Sequence, residues 1–283
     1  MNYLRPPTLE TALAALAERP RRVVCGATDC YADPALVPAA HEWVDIGRIG
    51  ALRGVSREGG VARIAAATTW DDITQCAWLP AALREAAAGV GSRQIRTQGT
   101  LGGNLCHASP LADGVPPLLA LQAEVELASM RGERRLALGD FLRGRQQTAL
   151  AADELLVAIS FPLPAARDRT AFVRCTNRDG MALAVVSAAV HLRLADGGAL
   201  ARAAICVGGA SAVPRRLHGL EAALTGLQPS AMAGIIAGAA LPELSPIDDC
   251  RATATHRIDL ARLAVTRAVR FCLEEFAHDA PAF

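Results

Sequence analysis

Apolar and polar positions along the chain follow helical spacing in some stretches and strand spacing in others. From Thr8, apolar residues recur at Leu9, Ala12, Leu13, Leu16 and Ala17, one face of a short helix. Thr8 and Glu10 suit its N-terminus, and Pro20 ends it. The run Arg22-Val23-Val24-Cys25 predicts a buried strand opening straight into Gly26-Ala27-Thr28-Asp29. Further strands are expected at 43–46 and at 61–67, the latter after the turn Glu58-Gly59-Gly60. Thr69 caps a helix starting near Trp70, and another covers about 80–88. Residues 125–128 and 135–138 flank the turn Arg131-Gly132-Glu133 and read as a hairpin. A strand over 153–159 closes the first half.

Two prolines and a charge cluster break the pattern near 162–169, which reads as a linker. Beyond it come long strands over 184–194 and 201–207 around the turn Asp196-Gly197-Gly198. Helices follow at about 217–224, 230–239 and 259–276. Strands first and helices later predict a segregated α+β second domain. The expected division is residues 1–163 and 169–283.

One stretch interrupts the periodic pattern. Residues 98–113, Gln-Gly-Thr-Leu-Gly-Gly-Asn-Leu-Cys-His-Ala-Ser-Pro-Leu-Ala-Asp, hold three glycines beside Thr100, Asn104, Ser109 and Asp113. Glycine lets backbone approach a ligand closely and leaves amides for anionic oxygens. The neutral polar side chains suit a phosphate or a polar ring edge. An apolar run, 115–121, follows directly, so the segment reads as a loop built around a ligand and locked onto a core. The turn at Gly26-Ala27-Thr28-Asp29 ends a strand, where phosphate-bearing ligands tend to sit.

Composition narrows the classes. The 283 residues suit two domains, 52% of them hydrophobic and only 4% aromatic, as in a globular chain with an Ala/Leu/Val interior. No apolar run reaches the roughly 18–20 residues of a membrane span, so no membrane insertion is expected. The N-terminus lacks a signal-peptide pattern, and the expected location is cytoplasmic. All 29 basic residues are Arg, spread along the chain at a net charge of +1, which gives no nucleic-acid footprint. The eight cysteines form no C-x-x-C and no metal or cluster spacing, and they read as free thiols in a reducing compartment. Redox chemistry would therefore need an organic cofactor.

The two glycine-centred loops, in this order and at this distance, resemble the FAD-binding subunit of the xanthine dehydrogenase family, which includes the medium subunits of carbon monoxide dehydrogenase and other molybdenum hydroxylases. Residues 4–12 resemble that family's opening. Cys25-Gly26-Ala27-Thr28-Asp29 resembles its first flavin loop, usually Ala-Gly-Gly-Thr-Asp, with Ala27 at the second glycine. Residues 94–113 resemble the second loop, built on Ile-Arg-Asn, Gly-Gly-Asn, Ser-Pro and Asp. Residues 174–190, 207–210 and 251–257 resemble later family segments. Arg174 stands at a usual Lys and Ala182 at a usual acid, while Val90 and Thr176 occupy the candidate positions for an aromatic flavin shield.

The resemblance implies an α+β protein: a two-lobed α/β FAD-binding domain of PCMH type, then an α+β C-terminal domain with an antiparallel sheet and helices. FAD would be noncovalent and lie between the two small lobes. Val23, Val24, Cys25, Gly26, Ala27, Thr28, Asp29 and Cys30 would wrap the pyrophosphate. Thr100, Gly103 and Asn104 would face the dinucleotide, with Cys106, His107, Ser109 and Asp113 along its ribityl–adenosine part. Leu155 and Leu156 would pack on adenine, and Arg174 would sit near the isoalloxazine edge. Electrons would arrive from 2Fe-2S clusters on a small partner subunit and leave for NAD+ or another acceptor. Molybdopterin would reside on a large partner subunit.

Other readings of the same residues stand beside these. Each glycine loop alone is an ordinary turn, and Asp29 and Asp113 suit Asx-turns or caps. His107 fits a satisfied loop histidine, Cys25, Cys30 and Cys106 fit small packing residues, and Arg174 and Arg178 fit ion-pair partners. At the level of the whole chain, the alternatives are a stand-alone flavoprotein oxidoreductase and a scaffold or assembly subunit that has lost FAD.

Overall fold

A computed structural model describes residues 3–30, 42–178 and 182–278; residues 179–181 of the segment 174–190 lie outside it. In chain order the early elements are β1 (Tyr3–Leu4), α1 (Leu9–Glu18), β2 (Arg22–Val24), β3 (Trp43–Asp45), β4 (Val55–Glu58), β5 (Val61–Ala65) and α2 (Trp70–Gln75). Then come α3 (Ala81–Gly89), α4 (Arg93–Arg96), α5 (Leu101–His107), α6 (Val115–Ala120), β6 (Glu124–Ser129), β7 (Gly132–Ala137), α7 (Leu138–Phe141), β8 (Leu142–Gly144), β9 (Gln147–Thr148) and β10 (Leu155–Pro162). The rest is β11 (Asp168–Cys175), β12 (Val186–Leu194), β13 (Leu200–Gly208), β14 (Arg215–Arg216), α8 (His218–Leu224), α9 (Pro229–Gly238) and α10 (Ala254–His278). The chain forms two compact units: Met1–Ala77 with Val90–Ala108 and Ala123–Pro162, and Trp78–Gly89 with Ser109–Gln122 and Leu163–Phe283.

The first unit holds a small parallel sheet, order β1-β3-β2, and an antiparallel sheet, order β4-β5-β10-β6-β7. Thr8 caps α1 reciprocally with Thr11, so local hydrogen bonding sets the helix start. Ala12, Leu13 and Leu16 bury one face of α1 against Val44, Ile46, Leu155 and Val157. Ala17 is exposed and Leu9 half-buried, so the buried stripe is narrower than the spacing predicts. Thr69 caps α2 in the same reciprocal way with Asp72. At the centre of the larger sheet, β10 pairs with both β5 and β6, which explains its nearly unbroken burial.

The second unit is an antiparallel sheet, order β11-β12-β13-β14. Val173, Ala188, Val190 and Ile205 pack with Ala261, Ala264 and Val265 of α10 on one face. Alternate residues Phe172, Ala189 and Ala204 pack with Ala82 and Ala86 of α3 and Ala120 of α6 on the other. A sheet covered on both faces needs apolar residues at successive positions, which is why β12 reads as a continuous run. The expected linker is shorter than 162–169. Asp168 opens β11, where its buried carboxylate accepts from Arg193, His191 and the Ala165 amide. Among the described residues, no helix is long and apolar enough to cross a membrane.

Candidate functional site

In the first unit, β2 is an edge strand whose single neighbour among the described residues is β3. Edge placement leaves Val23 37% exposed and Val24 half-buried, so the expected buried strand is instead a half-open one. The chain then turns through Cys25–Cys30. Ala27 takes the left-handed conformation, φ +55°, and the Cys30 amide donates to the Ala27 carbonyl at 3.2 Å. The amides of Gly26, Ala27, Thr28 and Asp29 have no acceptor among the described residues. Adjacent amides around a left-handed residue form an anion-binding concavity. Burial raises the Cys25 thiol above its ordinary value, with the Asp45 carboxylate acting in the same direction. Burial also raises Cys30, helped by Asp29. Both therefore stay protonated and serve as small packing groups.

The second glycine segment is not a free loop. Thr100 caps α5, which runs through Gly102 and Gly103 to His107. The Leu101 amide donates to Thr68 O at 3.0 Å and the Gly102 amide to Ala66 O at 2.9 Å. The Gly99 amide donates to Ile95 O at 2.7 Å, and the Gly103 amide to Thr100 Oγ1 at 3.1 Å. Every glycine amide here already has an acceptor, which corrects the expectation that they bind anionic oxygens. The glycines instead permit chain-to-chain contact: a Cβ on Gly102 would meet Ala66 O at 2.6 Å, and one on Gly99 would meet Trp70 at 3.2 Å.

What α5 offers a ligand is side-chain chemistry. Asn104 Oδ1 is buried and has no hydrogen-bond partner. Gly103 is exposed, while Thr100 is 4% exposed and committed to its cap. Desolvation pushes the Cys106 thiol up to about 12, so it is inert at neutral pH. His107 ends the helix half-buried, and Ala108 after it is left-handed at φ +48°. Leu155 and Leu156 are 2% and 4% exposed, Leu155 within the α1 core.

In the second unit, Ser109 Oγ accepts from the Leu111 amide at 3.2 Å and thereby braces its own turn. Asp113 is 8% exposed. Its Oδ2 accepts from Arg174 Nη1 at 3.1 Å, and the same nitrogen donates to the Gly89 carbonyl. Oδ1 is buried with no partner. Desolvation raises the Asp113 carboxyl to about 6, against the opposing pull of Arg174. Asp113 accepts from Arg174 alone among the described residues, so it is not an Asx cap; the positions that would close an Asx turn on Asp29 lie outside the described residues. Arg174 is therefore matched by a carboxylate. Sequence reasoning missed Gly89, whose absent side chain leaves space 3.4 Å from the Arg174 guanidinium. Its signal was a glycine at the end of the 80–88 helical pattern.

Within the first unit, the open amides suit a diphosphate and the buried Asn104 oxygen suits a ligand donor; within the second, the buried Asp113 oxygen suits a hydroxyl or amide donor. Among the described residues there is no His, Cys, Asp and Glu group fit to hold a metal. All eight cysteines are free thiols.

Residues 1–164 match the family model of the FAD binding domain in molybdopterin dehydrogenase. Residues 171–271 match the CO dehydrogenase flavoprotein C-terminal domain. The xanthine dehydrogenase FAD-binding subunit of Escherichia coli O157:H7 is 31% identical over 283 residues, covering 95% of this chain and 94% of that one. The carbon monoxide dehydrogenase medium chain of Afipia carboxidovorans is 28% identical over 277 residues, 95% of each. A solved chain of Cu,Mo-CO dehydrogenase superposes with a TM-score of 0.87 at 29% identity, covering 96% of this chain and 97% of that one. With both domain types present and both glycine loops in place, this chain belongs to the family of FAD-binding medium subunits of the xanthine and carbon monoxide dehydrogenases, and it is an FAD-binding oxidoreductase subunit.

Proposed function

We propose that this chain holds FAD noncovalently at its two glycine segments and relays electrons within a heteromeric molybdenum hydroxylase. The observation that carries the reading is the row of four amides at Gly26–Asp29 without acceptors among the described residues, since a diphosphate supplies such oxygens. Bound FAD supplies reversible one- and two-electron redox chemistry that no side chain offers. The chain's own part is to bind and orient. Val23 to Cys30 cradle the pyrophosphate, and Asn104 Oδ1 and Asp113 Oδ1 accept from the ligand. Thr100, Gly103, Cys106, His107 and Ser109 line the remainder, and Leu155 and Leu156 support the adenine. Arg174 holds a cation near the isoalloxazine.

In this reading residues 1–163 form the FAD-binding domain and 169–283 the C-terminal domain. The small partner carries 2Fe-2S clusters, and the large one carries molybdopterin and oxidises the substrate. NAD+ or another acceptor takes the electrons, and the complex is cytoplasmic. The family membership supports this division of labour.

The test is an absorption spectrum of the purified chain before and after incubation with FAD and desalting. Flavin bands that survive desalting, with flavin released on heat denaturation, support the reading. A colourless chain after reconstitution overturns FAD binding by the chain alone and favours a scaffold. Co-purification with a Cys-rich small subunit and a large subunit tests the partners, and turnover by the chain alone would favour a stand-alone flavoprotein.

A further inference from the structure

Arg257, on α10, is 3% exposed and lies far along the sequence from every residue assigned to the flavin. Its Nη1 donates to the carbonyls of Val185 (2.8 Å) and Gly209 (2.7 Å). Its Nη2 donates to Asp249 Oδ1 at 2.6 Å. Each of the two carbonyl residues uses its amide to hold another segment. The Val185 amide donates to Cys175 O at 2.8 Å, and Cys175 directly follows Arg174. The Gly209 amide donates to Pro110 O at 2.9 Å, in the turn that leads to Asp113. One guanidinium thus lies two hydrogen bonds from the segments carrying both Asp113 and Arg174.

The local packing shows why this hub is an arginine. Gly209 is left-handed, φ +82°, and a Cβ there would stand 2.4 Å from Val185 O and 3.0 Å from Leu111. The two carbonyls therefore converge on one buried point. Two converging acceptors repel unless a donor group meets both, which a planar fork of N–H groups does in fixed geometry. Asp249 supplies the countercharge at the rim of the unit, 26% exposed. The Arg251 amide, then Arg257, holds its carboxyl down at about 2.

We infer that Arg257 is a positioning residue for the Asp113–Arg174 pair, fixing the Pro110–Asp113 turn against the end of β11 so that Asp113 Oδ1 stays aimed at the ligand. The inference rests on the reading of that pair as part of the flavin site. A plain fold staple would tie the same segments together without affecting flavin through Asp113, and this difference is measurable.

The experiment is a double-mutant cycle on the full chain, with FAD as the probe and flavin fluorescence quenching as the readout. The chains are wild type, Arg257→Lys, Asp113→Asn and the double variant, each with its melting temperature. Lys keeps the charge but not the fork. R257K is expected to weaken FAD by about tenfold, within the coupling range of residues in one network. In the D113N background the same change is expected to alter Kd by less than about twofold. R257K is also expected to move the pH midpoint of FAD binding, which a staple would not do.

Equal weakening by R257K in both backgrounds, or none in either, overturns the inference. Unchanged affinity in D113N overturns the assignment of the pair to the flavin site, and the inference with it. If R257K does not fold, Asp249→Asn replaces it in the same cycle. That change leaves Arg257 in place and removes its outer anchor, and a smaller weakening of FAD that disappears in D113N is expected.

Discussion

Gly26 packs against the carbonyl of Gln98 so closely that a Cβ on Gly26 would lie 2.1 Å from the Gln98 oxygen. The first glycine of one loop is therefore the seat of the other. Gly26→Ala cannot be accommodated by a side-chain adjustment, because the obstacle is backbone. A loss of about 3 kcal/mol is expected. Thermal melts should show a drop of roughly 6–12 °C, with and without FAD. A variant with wild-type stability would mean that the loops separate at little cost.

Ala27 sits next to it at φ +55°. Left-handed backbone costs an L-residue about 1–2 kcal/mol, and glycine's extra chain entropy costs about 0.5–1 kcal/mol. Ala27→Gly should therefore stabilise the chain by about 0.5–1 kcal/mol while keeping the amide row intact. Urea unfolding checks the gain, and FAD titration checks that affinity does not fall.

Asp113, raised to about 6 by burial, gives stability a definite pH dependence. Between about pH 4 and 6 the folded chain keeps a proton there that the unfolded chain has released. Folding stability contributed by this group is thus highest below about pH 4 and falls as pH rises through 6. The full difference is on the order of 3 kcal/mol. Comparing urea midpoints of the flavin-free chain at pH 4.5 and 7 should show this decline in wild type and a flatter dependence in Asp113→Asn. Equal slopes would place Asp113 in a wetter setting than its 8% exposure implies.

Asp168 has the opposite sign. Burial alone would raise it, but hydrogen bonds from Arg193 and His191 outweigh that and hold its carboxyl down at about 2. Its stability contribution is present above the ordinary carboxylate range and is lost as pH falls toward 2. Asp168→Asn leaves Arg193 and His191 facing a neutral amide, and a loss of about 3 kcal/mol is expected at pH 7. The gap from wild type should close on acidification, as read by circular dichroism melts from pH 7 down to pH 3.

Local signals in the sequence reported local facts well. The threonines at 8 and 69 cap helices through hydrogen bonds to residues three positions on, and their helices start where expected. The 125–138 hairpin and the order of strands then helices beyond 184 have the same local origin. Where a distant partner decides the outcome, the pattern misleads. α5 contains Gly102 and Gly103, poor helix formers, and its start is held by the Thr68 and Ala66 carbonyls. The start of β11, Asp168 and Arg169, reads as the end of a linker until its cross-strand partners are known. Residue identity marked Asp113 and Arg174 separately. Their pairing, across 61 positions, is a product of the tertiary fold.

Because the amides of Gly99, Gly102 and Gly103 are all engaged within the chain, the glycine spelling of this segment is a signature of self-packing. A descendant that stopped carrying a flavin would still need Gly26 beneath Gln98 and Gly102 against Ala66, or the unit would lose stability. It would be released from duties the chain does not perform on itself: the left-handed turn at residue 27 and the unanswered oxygens of Asn104 and Asp113. Drift at those places, with the glycines intact, is therefore the mark to seek in lineages where the fold has outlived its cargo.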